Sequence, residues 1–263
     1  MNKMKKTTFA LLATPAVFSL ASAGVINDAN YTNDFTSSAS DFTTTAPATA
    51  TWSLDTGAGT FGYVDEVSGD YLAAVQNTFY GGSAETAESF TLSGTVYYPG
   101  PDGPGSSDQL GMFFLGDAND PTNAYHFYLR GVQSNGFSVF LAKEVGDVLT
   151  TLDADGDGSH ELRDYIGYDI SYDITATYSG GELSIAATFT SDRDSDSYTL
   201  NYTDSDPLTG DFFGMWGKET ISGRDEGAEW NNFSMQNVPE PSTYAMLAGF
   251  AGLAVAFIRR RKR

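Results

Sequence analysis

The stretch from Asp169 to Tyr202 constrains the fold more than any other. Between Asp169 and Tyr178, the residues Ile170, Tyr172, Ile174, Ala176 and Tyr178 alternate with Ser171, Asp173, Thr175 and Thr177. Successive side chains of a strand point to opposite faces, so this period of two separates an apolar face from a polar one. Ser179, Gly180 and Gly181 then turn the chain, and Leu183, Ile185, Ala187 and Phe189 repeat the pattern on the return. Tyr198, Leu200 and Tyr202 continue it in a third strand. Three antiparallel strands with one apolar face must bury that face against a second layer. No helical stripe occurs between the two ends of the chain, so the second layer is another sheet. The expectation is an all-β, two-sheet antiparallel sandwich.

The rest of the body reads the same way. From Thr51 onward, short apolar and aromatic runs are broken by Gly, Asp, Asn and Pro, the pattern of an all-β chain. Expected strands are 51–54, 60–64, 71–75, 89–98, 110–115, 124–130, 137–143, 170–178, 183–190, 197–202, 212–216 and 229–235. Residues 99–107 read as a Pro/Gly/Ser loop. Residues 24–50 read as a loose lead-in with one short strand near 31–35, and 51–237 as one sandwich domain. With 15 Tyr and 18 Phe the chain has the material for a packed core rather than solvated disorder. It has no cysteine, which excludes a disulfide framework and thiolate chemistry.

Both ends carry targeting patterns. Lys3, Lys5 and Lys6 precede an apolar stretch from Thr7 to Leu20, and Ala21, Ser22 and Ala23 form a small-x-small cleavage site. Residues 1–23 are therefore expected to be a signal peptide removed by signal peptidase. At the other end stand Val238, Pro239, Glu240, Pro241, Ser242 and Thr243, then an apolar run over 244–258, then Arg259, Arg260, Arg261, Lys262 and Arg263. Prolines on both sides of Glu240 break the chain from the preceding strand. As a helix the apolar run is about 22 Å long, a marginal membrane span, with its basic end held in the cytoplasm.

This tripartite tail, 238–263, closely resembles the PEP-CTERM sorting signal of Gram-negative bacteria. The resemblance implies recognition of Val238, Pro239, Glu240 and Pro241 by exosortase, a membrane protease. It further implies transient attachment to the inner membrane, then release to the cell surface or to an exopolysaccharide matrix associated with biofilms. It implies nothing about the activity of the domain between the two ends.

Removing both ends sharpens the charge. Of 14 Lys+Arg, three lie in the signal and five in the tail, leaving six against 34 Asp+Glu, a formal charge of −28. Such a surface repels nucleic acid and acidic polymers, and its natural counter-charge is a metal cation. The matching acidic motif is Asp153, Asp155 and Asp157, followed by Gly158, Ser159, Glu161 and Asp164. It fits the Asp-x-Asp-x-Asp-Gly start of a calcium loop, where alternate carboxylates converge on one hard cation. Ser159 would supply a carbonyl, Glu161 the ninth position and Asp164 the twelfth, where Glu is usual. His160 stands where an apolar residue is usual, and no amphipathic helices flank the motif. The expected role of calcium is structural, with a solvated Asp/Gly turn as the alternative.

The hairpin around Gly180, together with 210–217 and 229–235, resembles the concanavalin A-like lectin/glucanase jelly roll. The resemblance spans about 89–235 and implies a jelly-roll sandwich with a concave face that often binds sugars. The Glu-x-Asp-x-x-Glu strand motif of laminarinase-type members is absent, and Asp225, Glu226 and Glu229 have the wrong spacing. Two histidines, His126 and His160, support no Ser-His-Asp set. For sugar binding, aromatic faces and planar polar groups must meet. In 125–130, Tyr125, Phe127 and Leu129 share the expected core face; His126, Tyr128 and Arg130 share the other. With Trp216, Lys218 and Trp230 as neighbours, they form the candidate sugar face, although for each tryptophan taken alone a core position is the favoured reading. The reading is a non-catalytic exported surface or matrix protein with possible carbohydrate binding. The alternatives are a glycan-cleaving enzyme of the same fold and a purely structural protein without ligand.

Overall fold

The computed structural model describes residues 25–46, 50–65, 68–97, 108–117, 120, 123–132, 136–155, 168–192, 197–219 and 226–238. The expected signal peptide 1–23, the loop 99–107 and the tail from Pro239 onward lie outside them. Sixteen strands follow in chain order: β1 (Val25–Ile26), β2 (Asn30–Asn33), β3 (Thr43–Thr45), β4 (Trp52–Asp55), β5 (Thr60–Asp65), β6 (Gly69–Asn77), β7 (Phe90–Tyr97) and β8 (Gln109–Gly116). They continue as β9 (Tyr125–Val132), β10 (Gly136–Val145), β11 (Val148–Asp155), β12 (Asp169–Ser179), β13 (Glu182–Ser191), β14 (Ser197–Asp204), β15 (Phe212–Glu219) and β16 (Glu226–Asn237).

The alternating hairpin forms as its pattern requires. β12 and β13 pair with Tyr178 opposite Leu183, Ile174 opposite Ala187 and Tyr172 opposite Phe189. Gly180 and Gly181 make the turn at φ 62° and 84°, a left-handed conformation that glycine adopts without a Cβ penalty. β14 extends the ribbon, and β7, β16, β5 and β4 complete one eight-stranded sheet, here sheet B, with β2 paired on β16. The apolar face of β12 and β13 is buried from Ile170 to Ala176 and from Leu183 to Phe189, in one core with Leu92, Val96 and Met235 of the same sheet and Phe127 and Leu129 of the other, and Tyr178 packs half-buried against it.

Sheet A runs β1-β6-β15-β8-β9-β10-β11, with β3 also on β6. All pairs are antiparallel except β1 with β6. Strands adjacent in space come from distant parts of the sequence: β15 lies between β6 and β8, and β16 lies between β7 and β5. The result is the expected two-sheet jelly-roll sandwich. The lead-in differs from its expectation. Within 25–46, β1 and β3 pair along the edge of β6 and β2 pairs with β16, so the segment covers edges of both sheets. Unpaired edge groups make that pairing favourable even for strands of two to four residues.

β11 is a strand that the sequence reading left inside the acidic loop. It forms because Gly146 and Asp147 both take positive φ, 60° and 61°, the two-residue hairpin turn for which Gly-Asp is a known signal.

Aromatic rings fill the space between the sheets. Tyr63 of β5 stacks on Tyr71 of β6 with ring centroids 4.0 Å apart and planes 14° from parallel. That placement depends on Gly217: a Cβ there would come within 2.0 Å of the Tyr63 hydroxyl oxygen and 2.7 Å of its ring. A polar clamp ties the sheets at one margin. The Tyr125 hydroxyl donates to Asp204 Oδ2 at 2.5 Å, and Lys143 Nζ donates to the same oxygen at 2.7 Å. Lys143 also donates to the Asp206 carbonyl, and the Leu208 amide donates to the Tyr125 hydroxyl. Burial alone would push the Asp204 carboxyl up. The bonds from Lys143, Tyr125 and the Asp206 amide outweigh it and hold the carboxyl below its ordinary value.

A carboxylate depressed in the folded state adds stability above its unfolded pKa and loses it as pH falls through the folded one. Asp204→Asn is therefore expected to lower stability at neutral pH by about 1–3 kcal/mol and to flatten the loss of stability below about pH 4. Urea unfolding of wild type and variant at neutral and acid pH measures both effects.

Candidate functional site

β9 places its side chains as the period of two demands. Tyr125, Phe127 and Leu129 enter the core between the sheets. His126, Tyr128 and Arg130 point to the outer face of sheet A, where the register assembles neighbours from distant segments. Tyr128 lies opposite Gly111 on β8 and Phe140 on β10; Gly111 in turn lies opposite Trp216 on β15, and Trp216 opposite Leu72 on β6. Gly111 is required there, since a Cβ would come within 2.6 Å of the Tyr128 Cα. The flanking rings close over the glycine: Tyr128 and Trp216 meet edge-on at 5.3 Å, and Tyr128 stacks on Phe140 at 5.3 Å. His126 packs edge-on to Trp216 at 4.5 Å.

These residues form a second apolar cluster, separate from the core between the sheets, that also contains Phe113 and Phe212. They are not exposed as an outward face would suggest. His126 is 0%, Trp216 2% and Tyr128 3% accessible, while Arg130 is exposed. Trp230 does not join them. It belongs to β16 of sheet B and faces inward, 5.5 Å from Trp52 and 6.1 Å from Tyr63 in the main core. Tryptophans 14 positions apart lie on adjacent strands in sequence but in different sheets, which residue spacing does not reveal.

Beside the aromatic floor lies a charged rim. In one row, Asp70, Lys218, Gln109 and Arg130 stand side by side on β6, β15, β8 and β9. Lys218 Nζ is 3.4 Å from Asp70 Oδ1, with both side chains nearly half exposed. On the other side of the floor, Glu144 Oε2 is 3.4 Å from His126 Nε2. Burial pushes the Glu144 carboxyl up to about 7; Lys218 pulls it down, and Asp70, Asp120 and Asp147 push it up. Burial likewise pushes the Tyr128 hydroxyl up to about 12. Sequence reasoning missed Asp70, Gln109, Phe140 and Glu144, because only strand register brings them to this face. The arrangement offers a rim of donors and acceptors over a buried aromatic floor, with one carboxyl raised to about 7 at its margin.

Of the six calcium candidates, Asp157, Ser159, Glu161 and Asp164 lie outside the described residues. Asp155 ends β11. The Asp153 carboxylate accepts from the Ala154 amide at 2.9 Å and from the Asn201 amide of β14 at 3.0 Å, joining the sheets at their margin. Among the described residues no three His, Asp or Glu side chains gather as a metal site. Of the sorting residues, Val238 is described, its amide donating to the Ser89 carbonyl at 3.0 Å; Pro239, Glu240 and Pro241 lie outside.

The fold is that of concanavalin A-like jelly rolls. The Lotus tetragonolobus seed lectin superposes with a TM-score of 0.56 at 9% identity, over 81% of this chain and 100% of the lectin. Winged bean acidic lectin, solved with methyl-alpha-D-galactose, gives 0.52 at 12% identity, over 80% and 99%. The GH43 protein BlXynB from Bacillus licheniformis gives 0.55 at 12% identity, over 79% of this chain; the chain spans only 39% of that enzyme. No curated protein matches the chain in sequence. Residues 237–262 match the family model of the PEP-CTERM protein-sorting motif, which marks an exported protein sorted at a membrane.

An acid whose folded pKa is raised favours the protonated folded state, so its contribution falls as pH rises between the unfolded and folded values. Thermal unfolding from about pH 4.5 to about pH 7 is expected to show a declining Tm that Glu144→Gln flattens. An unchanged slope in the variant would remove the case for a buried, protonated Glu144.

Proposed function

We propose that this is an exported, non-catalytic surface or matrix protein that binds glycan on the outer face of sheet A. The observation that carries the reading is the row Asp70, Lys218, Gln109 and Arg130 beside the Trp216 and Tyr128 rings. Planar and charged groups bond the hydroxyls of sugars, and the buried rings beneath hold that row in place. The winged bean lectin, solved with methyl-alpha-D-galactose, shares this architecture and at 12% identity supports the fold alone. The tail supplies the address: signal peptidase removes 1–23, and exosortase acts at Val238, Pro239, Glu240 and Pro241 after transient anchoring in the inner membrane.

Because Tyr128 and Trp216 are buried, truncating them tests folding rather than binding, and Arg130 is the informative position. Arg130→Ala is expected to leave the Tm within a degree or two and to weaken retention on the producer's own exopolysaccharide several-fold, read by affinity electrophoresis. Equal migration of variant and wild type would favour the ligand-free structural reading. Intact-mass measurement of the exported protein is expected to find a form lacking 259–263; a surface form that keeps those residues would refute exosortase processing.

Glu144 favours a second reading. Its carboxyl, raised to about 7 beside His126, resembles a proton donor for glycan cleavage. Reducing ends released from the same polysaccharide by wild type and not by Glu144→Gln would establish it, whereas binding without release supports the non-catalytic reading.

A further inference from the structure

The outer face of sheet B is chemically unlike the rest of the surface. Thr95, Ser171, Thr190 and Ser197 lie in one row across β7, β12, β13 and β14, and Ser93, Asp173, Thr188 and Thr199 in the next. Asn232 and Ser234 carry the same rows onto β16. Pleated geometry spaces such positions about 4.8 Å apart across strands and about 6.7 Å along them, a regular two-dimensional grid. Neighbouring hydroxyls bond one another: Thr188 with Thr199 at 2.9 Å, Thr190 with Ser197 at 2.8 Å and Ser184 with Thr203 at 3.3 Å. In each pair either oxygen can donate, so the grid presents donors and acceptors interchangeably.

Charge is scarce in these two rows and begins again in the row beyond them, at Asp169 and Glu229 on either side of Tyr97. Asp173 is the one ionisable side chain in these rows, and burial pushes its carboxyl upward, toward the neutral form. The chain around it carries a formal charge of −20, and its exported segment more. An anionic polymer, or a second acidic copy of this chain, meets repulsion on approach; a neutral chain meets none. Two grooves open onto the face. One of ≈ 300 Å³ is lined by Thr175, Ser184, Asn201 and Thr203 and carries no ionisable group except Tyr202; the other, of ≈ 400 Å³ at the opposite edge, is lined by Thr32, Asn232 and Ser234 together with Asp34 and Asp41, so the uncharged part of the face lies on the β12–β14 side.

We propose that this hydroxyl grid is a second binding surface, for a neutral, extended polysaccharide lying across β16, β7, β12, β13 and β14. Sugar hydroxyls are donors and acceptors at once, and the grid matches them without requiring one hydroxyl orientation. It has no aromatic platform, so each contact is weak and binding requires a polymer that spans many of them. The contacts are uncharged, so retention is insensitive to salt. The surface lies on the opposite sheet from the rim of Arg130 and Lys218 and does not depend on that rim binding anything.

The test is affinity electrophoresis of the exported protein in gels containing hydroxyethyl cellulose, a neutral β-glucan, or alginate, an anionic polymer, at low and high salt. Wild type is expected to be retarded by the neutral polymer at both salt concentrations and not by alginate. Thr188→Glu with Thr199→Glu, at a half-buried and an exposed position, is expected to lower that affinity about tenfold or more. Thr188→Val with Thr199→Val, which keeps shape and β propensity, is expected to lower it less, and each double variant is expected to lower it by the same factor in an Arg130→Ala background. The proposal is overturned if the neutral polymer does not retard wild type, if both Thr188/Thr199 double variants migrate as wild type does, or if Arg130→Ala alone abolishes retardation.

Discussion

Burial on both faces of sheet A is the constraint on which the rest of the molecule depends. A strand pleat gives every strand two faces, and a sandwich needs only the inner one to be apolar. Sheet A instead packs Phe127 and Leu129 inward and Trp216, Tyr128 and Phe113 outward. Gly111 makes the outer packing possible, because only a residue without a Cβ lets Trp216 and Tyr128 meet above the backbone. The floor is thereby fixed by its own contacts. The side chains of that face that reach solvent stand at its margins: Arg130, Lys218 and Asp70.

The same asymmetry decides what the sequence reveals. Sheet B buries one face, so Ile170 to Tyr202 alternate cleanly and the hairpin at Gly180 and Gly181 is legible residue by residue. In sheet A the alternation vanishes: Leu110 to Leu115 and Tyr125 to Leu129 are nearly all buried, and a continuous apolar run does not say which side chains face the other sheet. The parity of β9 was readable and put His126, Tyr128 and Arg130 together. The burial of His126 and Tyr128 was not, because it depends on Trp216, Phe113 and Phe140, which only strand register supplies. Trp230 shows the same limit, since nothing local distinguishes a strand that joins sheet A from one that joins sheet B.

Short edge strands were also hard to read. β1 and β3 have too few residues for a period, and their pairing is driven by the free edge of β6 rather than by their own composition. β11 was within reach, since Gly146 and Asp147 signal a tight hairpin. In the fold Asp153 serves the sandwich, its two carboxylate oxygens accepting backbone amides on β11 and β14. An aspartate that closes a margin and one that holds a cation look alike in sequence, because both jobs need the same short acceptor.

Charge then links the domain to its destination. With few basic residues between the two ends, this acidic surface gains little from ion pairs with itself, and among the described residues a partly buried Lys–Asp pair ties sheet to sheet, at Lys143 and Asp204. An acidic exterior repels other copies of itself, where neutral surfaces would favour association. The same repulsion opposes anionic polymers except at places where charge is scarce or balanced. Those places are the hydroxyl rows of sheet B and the mixed rim of Asp70, Lys218 and Arg130 on sheet A. They lie on opposite outer faces of one rigid sandwich, so a protein that engaged chains on both would bridge them, and bridging requires no change of shape. Rigidity is then the useful property, and the fold supplies it through the two-sided packing of sheet A and the clamp between the sheets.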